Sequence, residues 1–316
     1  MLWHGRPAHV HRAVNTGGSP VPRLTMSITS MPAYLEVPPE ELGRGTPVKV
    51  RVLTDMASIA RDMAQAMLDS VREAASGGRA ATLIVPVGPV DQFPILAETV
   101  NQQRIDLRDV CLINMDEYLT DHDRPIDPSH PLSFRGFMNR LFYDRLDPSL
   151  APRMEHRVFP DPQNPRAIQQ FIDQRGGVDA CFGGIGINGH IAFNEPPDFD
   201  KLSRAEAGEE ISVEDFAKLP TRVLSLTRET RTINSVTVGG EIAVIPHRAV
   251  TVGMQECLAA RKMRFYCNRP WQSAVVRRVL HGPITPACPA SLLRTHRDTT
   301  ITVADYVAAK PDIRLR

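Results

Sequence analysis

Short apolar runs alternate along this chain with longer stretches whose apolar residues recur at helical spacing. Val48–Leu53, Thr82–Val85, Val110–Asn114, Val178–Phe182, Ala249–Val252, Arg264–Cys267 and Thr299–Val303 read as strands. After the first of them, Met56, Ile59, Ala60, Met63, Ala66 and Met67 line one face of a helix reaching about Ala75. Thr54 or Asp55 is placed to cap it. That stripe is a core face, and a second helix is expected near Pro94–Gln103. Strands alternating with helices predict a Rossmann-like α/β fold, a mostly parallel sheet with helices on both faces in a single domain. Ligands of such sheets sit beyond the carboxyl ends of the strands. Gly88, Asp116 and His190 all fall there, so three loops are expected to form one site.

The loop after Val178–Phe182 carries the densest chemistry. Gly183-Gly-Ile-Gly-Ile-Asn-Gly-His-Ile-Ala-Phe-Asn-Glu-Pro196 places an imidazole, a carboxamide and a carboxylate next to a glycine-rich turn. Glycines let backbone approach a ligand closely. Gly184, Gly186 and Gly189 also spell the G-x-G-x-x-G of dinucleotide-binding folds, and Glu209 or Glu210 lies at a ribose-contact distance downstream. That reading needs a helix beginning at the last glycine, and Pro196-Pro197 would stop one after about two turns. A structural turn holding a satisfied histidine is the bland alternative. A second candidate is Met115-Asp-Glu-Tyr118, two acids directly after an apolar strand, which suit an active-site rim better than a strand. Asp116 could equally be a helix cap or a solvated turn residue.

Taken together, these motifs carry a family resemblance. Asn114-Met-Asp-Glu-Tyr118, His130-Pro with Ser133-Phe and Phe137-Met138, the Gly183–Pro196 loop, Ala249-Val-Thr-Val-Gly253 and Pro289-Ala-Ser-Leu-Leu293 with His296 resemble glucosamine-6-phosphate deaminase. The resemblance runs from about Val48 to Val307. It extends to the related 6-phosphogluconolactonases through the histidine loop, while the Met-Asp-Glu-Tyr element points to the deaminase branch. It implies conversion of an aldose amine such as glucosamine 6-phosphate into a keto-sugar phosphate plus ammonia. Asp116 would move the proton between C2 and C1, and His190 would handle the ring-opening proton. Glu195 would orient or tune the imidazole, with Asn188 beside it. A desolvated carboxylate suits the first task and an imidazole the second. Gly88, Glu117, Gly186, Gly189 and Arg135 are the candidate substrate-binding residues. No cofactor and no metal is expected, since the loop lacks a ligand cluster of the H-x-x-x-H or C-x-x-C kind.

Departures from the family pattern are equally specific. The family carries aspartate where this chain has Asn188, which keeps the shape but not the charge. Its phosphate-holding turn is replaced by Val87-Gly88-Pro89-Val90-Asp91, where Pro89 has no amide donor and Asp91 would repel an anion. The family's phosphate arginine falls at about Val236 and its lysine at about Gln272. Arg231, Arg269 or Arg135 could supply a relocated charge. Either the anion site was rebuilt or the substrate is not the family's phosphosugar. A lactonase, or a sugar-binding regulator that lost turnover, is the alternative function.

Composition adds bounds rather than chemistry. With 316 residues, 42% hydrophobic and 23% charged, the chain can bury a substantial core. Lysine plus arginine (37) nearly balances aspartate plus glutamate (36), so no net field favours nucleic acid, and no apolar run reaches membrane-spanning length. Cys111, Cys181, Cys257, Cys267 and Cys288 are scattered in apolar surroundings, as buried thiols of a reducing, cytoplasmic setting would be. The expected partner is a small sugar, phosphorylated if the family pattern holds, and the resemblance allows a homo-oligomer. Residues 1–45 read as a flexible extension ahead of the domain at 46–316. A transit peptide, a start near Met26 or a docking arm are the other readings of that segment. Phe199–Leu219 is polar and acidic, either a helical lid, with Ile211–Lys218 its likeliest turn, or a surface insertion.

Overall fold

The structure, a computed structural model, describes residues 30–197 and 211–314. Its strands are β1 (Lys49–Leu53), β2 (Thr82–Val85), β3 (Cys111–Asn114), β4 (Asp116–Leu119), β5 (Arg157–Val158), β6 (Ala180–Gly183), β7 (Arg222–Ser225), β8 (Arg248–Thr251), β9 (Lys262–Cys267) and β10 (Thr299–Ala304). The helices are α1 (Met56–Ser76), α2 (Gln92–Gln103), α3 (Phe134–Leu141), α4 (Ala167–Gln174), α5 (Val213–Ala217), α6 (Arg228–Ser235), α7 (Met254–Leu258), α8 (Gln272–His281) and α9 (Asp305–Ala308).

Among the described residues, seven strands form one sheet in the order β1-β10-β9-β6-β2-β3-β5, with every pairing parallel. All residues of β2, β3 and β6 are buried. Successive side chains of a strand point to opposite faces, so burial of all of them means both faces are covered. The edge strand β1 carries Lys49 and Arg51 and is largely exposed, which blunts an open edge. Asp55 caps α1 by accepting the Ser58 N–H at 2.7 Å, and Ile59, Met63 and Met67 turn inward as their spacing predicted.

A second, three-stranded antiparallel sheet, β4-β8-β7, was not foreseen. The run at Ala249 was expected in the parallel sheet and lies here instead. Asp116-Glu117, expected to form a loop rim, begin a strand. A short apolar run does not reveal its partner, and the acids are tolerated because Glu117 is hydrogen-bonded through both oxygens and Asp116 through one. β5 and β7 also escaped the pattern, the one being very short and the other half exposed.

The chain divides into two compact units, Met1–Pro32 and Ala33–Arg316. The expected boundary at Gly45 falls within the second unit, and residues 1–29 lie outside the described residues. Residues 33–45 are packed: Val37 O accepts from the Arg277 guanidinium at 2.9 Å, and Gly43 N–H donates to His281 Nε2 at 3.2 Å. Arg277 is fully buried on α8, its other donors taking the carbonyls of Ser273, Val307 and Ala308. The expected lid falls largely outside the described residues, apart from α5 with its Ser212 cap. Among the described residues no helix is long and apolar enough to cross a membrane. Deleting residues 33–45 from a chain that starts at Ala33 leaves Arg277 Nε without its acceptor. It is expected to lower stability by about 2 kcal/mol or more in urea unfolding, and an unchanged midpoint would contradict this.

Candidate active site

Met115 is the joint between the two sheets. Its N–H bonds to Val85 O at 3.0 Å, continuing the parallel sheet, and its carbonyl accepts the Val252 N–H at 2.7 Å, opening the small one. Asp116 therefore starts β4 at the carboxyl edge of the large sheet, directly opposite Thr251 on β8. Its Oδ1 accepts the Thr251 hydroxyl at 2.5 Å and the Phe193 N–H at 3.0 Å, and its Oδ2 makes no hydrogen bond among the described residues. Burial pushes the Asp116 carboxyl up to about 7, against the pull of Thr251, the His190 charge and the Phe193 amide, while Glu117 adds to the rise.

The glycine loop brings the imidazole to the same place. A Cβ on Gly186 would stand 2.1 Å from the His190 ring, so only glycine lets the ring lie over the turn. Gly189 turns the chain at φ 89°, and a Cβ there would meet Cys288 Sγ at 2.5 Å. No helix follows Gly189. Ile191 and Asn194 instead pair across a tight turn with Ala192 at φ 53°, which removes the dinucleotide reading. The His190 and Phe193 rings are 5.9 Å apart at their centroids, and Phe193 N–H is the group bound to Asp116. The imidazole and the carboxylate thus share one buried corner.

His190 Nδ1 lies 2.9 Å from Asn188 Oδ1, 3.2 Å from Thr230 Oγ1 and 3.6 Å from Glu195 Oε2. Asn188 Nδ2 donates to Glu195 Oε2 at 2.7 Å and to Thr227 Oγ1 at 3.2 Å. An amide nitrogen must face the carboxylate, so the amide oxygen faces the imidazole and Nδ1 carries the hydrogen. Nε2 is then the nitrogen with a lone pair to accept a proton. Burial pushes Glu195 up, but its hydrogen bond to His190, the imidazole charge and the Asn188 and Thr230 contacts outweigh it and hold the carboxyl below its usual range. Asn188 contributes no charge, and Glu195 supplies the anion facing Nδ1.

Several expected substrate contacts are placed otherwise. Glu117 is buried and serves the start of α3: Oε1 accepts the Phe134 N–H at 3.0 Å and Oε2 the Arg135 N–H at 2.9 Å and the Ser133 hydroxyl at 3.0 Å. With these partners it is a helix-terminus anchor rather than a sugar ligand. The Arg135 guanidinium stacks 4.6 Å over the Phe159 ring. Gly88 does reach the site edge, since a Cβ on Gly184 would stand 2.9 Å from Gly88 O. The turn beside it offers acceptors: Asp91 Oδ2 and Gln92 Oε1 are buried without partners among the described residues. Gln272 spends its amide on Ile185 O at 2.8 Å, and Val236 is 70% exposed. Arg231 binds the carbonyls of Ile242 and Ile245, and Arg269 Nη1 lies 3.7 Å from Met56 Sδ. Thr227, Thr230 and Thr251 were missed, although Thr227 opens a cap pattern that the sequence displays.

A buried carboxyl and an oriented imidazole at the carboxyl edge of an open α/β sheet are the kinds of group that enzymatic proton transfer uses. No protein-family model matches this chain. The glucosamine-6-phosphate deaminase of Cellvibrio japonicus is 30% identical over 276 residues, covering 83% of this chain and 91% of its own. A solved monomeric glucosamine-6-phosphate deaminase of the NagB superfamily superposes with a TM-score of 0.69 at 24% identity, over 84% of this chain and 100% of that one. The 6-phosphogluconolactonase of Trypanosoma brucei shares the fold at a TM-score of 0.57 and 13% identity, over 84% and 98% of the two chains. The chain belongs to the glucosamine-6-phosphate deaminase family.

The raised Asp116 carboxyl has a stability consequence. The folded chain keeps that proton up to about pH 7, whereas an unfolded aspartate loses it near about 4. Between those values the folded state binds more protons, so this group's contribution falls as pH rises through the window and levels off above it. Asp116→Asn removes the penalty. The variant is expected to exceed wild type in stability by a few kcal/mol at about pH 8, with the gap closing towards about pH 4. A pH-independent gap in urea unfolding would contradict the assignment.

Proposed function

We propose that the chain deaminates and isomerises an amino-sugar phosphate, taking glucosamine 6-phosphate and water to fructose 6-phosphate and ammonia. The observation that carries this reading is Asp116, a buried carboxylate with a free Oδ2 and a raised proton affinity beside an oriented imidazole. Family membership supports the same substrate class.

His190 Nε2 takes the anomeric hydroxyl proton and returns it to the ring oxygen, which opens the pyranose to the aldehyde. Glu195 faces the imidazolium that forms in between. Asp116 Oδ2 then removes the C2 proton; the electron pair moves to C1–C2 and the aldehyde oxygen is protonated. Return of the proton to C1 gives the C2 imine, and water adds there to expel ammonia. Desolvation makes Asp116 a stronger base than an exposed aspartate, while Thr251 and Phe193 keep Oδ1 fixed so that Oδ2 does the transfer. Lactone hydrolysis adds water at C1 and leaves the C2 hydrogen in place, which would give this carboxylate no C2 proton to move.

Since the free enzyme needs Asp116 ionised, kcat/KM for ammonia release is expected to fall as pH drops below about 7. Asp116→Asn is expected to lower kcat by about 100- to 10,000-fold. Assays of ammonia and fructose 6-phosphate check both. Undiminished turnover in the variant, or lactone hydrolysis without ammonia release in the wild type, would overturn the reading.

A further inference from the structure

The loop carrying His190 is laid across the small sheet and held there by a row of side chains. Pairing of β4 with β8 and of β8 with β7 sets Asp116, Thr251 and Arg222 directly opposite one another. Such residues project from one face of a sheet, about 5 Å between neighbours. The first two grip the loop backbone, because Phe193 N–H bonds to Asp116 Oδ1 at 3.0 Å and to Thr251 Oγ1 at 2.9 Å. The third grips the next residue. Asn194 is fully buried; its Nδ2 donates to Val252 O at 2.9 Å and Ile191 O at 3.0 Å, and its Oδ1 accepts from Arg222 Nη1 at 2.7 Å.

A guanidinium is a costly donor for this purpose. Burial pulls its proton affinity down, with Glu256 and Cys257 opposing that pull, and it forms no ion pair among the described residues. Besides Asn194, Nη1 reaches Pro220 O at 3.3 Å and no other acceptor among the described residues. Glu256 acts on it electrostatically, with one oxygen accepting the Thr221 N–H at 3.1 Å and the other buried without a partner among the described residues. A neutral amide oxygen needs no charged donor to be satisfied. A charged one makes a shorter and stronger bond in a desolvated place. The bond falls at the one residue separating Phe193, which touches Asp116, from Glu195, which faces His190.

We infer that Arg222 is a positioning residue of the reaction, fixing Asn194 and through it the geometry of His190 and Glu195 over Asp116. The inference rests on the deaminase reading for its kinetic part and on hydrogen bonding alone for the rest. The test compares Arg222→Met and Arg222→Lys with wild type in steady-state kinetics, thermal melting and the ring-nitrogen resonances of His190. Arg222→Met is expected to stay folded, to lose about 100-fold in kcat with KM little changed, and to shift the His190 resonances. Arg222→Lys, which keeps a charged donor, is expected to recover most of the rate and return the resonances. Near-wild-type kcat with unmoved resonances would overturn the inference. So would a rise in KM at constant kcat, which would make Arg222 a substrate ligand, or equal losses in both variants that follow the melting temperature. If the wild type releases no ammonia at all, the deaminase reading fails by itself. The His190 resonances then still decide whether Arg222 holds the loop.

Discussion

The account depends on one short hydrogen-bonded junction, in which Asp116 Oδ1 receives both the Thr251 hydroxyl and the Phe193 amide. Three distant parts of the chain meet there: the switch from the large sheet to the small one, the end of β8 and the histidine loop. Without it the imidazole loop would have no fixed relation to the carboxylate. With it, one oxygen of a buried acid is consumed in architecture and the other makes no hydrogen bond among the described residues. Burying an acid this way is unfavourable for folding, which is the usual signature of a group retained for its reactivity rather than its packing.

Two carboxylates in the site are driven in opposite directions by their surroundings. Burial dominates at Asp116 and raises its proton affinity to about 7, while at Glu195 the histidine and its amide and hydroxyl neighbours win and lower it. Environments that separate the affinities of neighbouring acids allow one to shuttle a proton and the other to stay ionised. Asn188 fits this division. Its amide donates to Glu195 and accepts from His190, so it relays orientation between the two without adding a second anion.

The hydrophobic pattern was enough to place six of the seven parallel strands and α1, because continuous apolar runs mark the strands and an amphipathic helix leaves a stripe. It was blind to the small sheet. Asp116-Glu117 do not look like strand residues, and nothing local tells Ala249–Thr251 that its neighbours are antiparallel. Asp116, Asn188, His190 and Glu195 were legible as a set because two motif-bearing loops follow strands. Glu117 was misplaced for a physical reason: adjacent acids look alike in sequence, but alternation along β4 sends one to the site and its neighbour to the start of α3. Thr227, Thr230 and Arg222 act through contacts across dozens of residues, which spacing does not encode.

The most direct measurement of the central claim is hydrogen exchange at the sugar carbons. Turned over with substrate carrying deuterium at C2, the wild-type chain should release that label from C2, to C1 of the ketose product or to solvent, and Asp116→Asn should open the ring yet leave it at C2. Loss of the C2 label in the variant at the wild-type rate would show that another base moves the C2 proton.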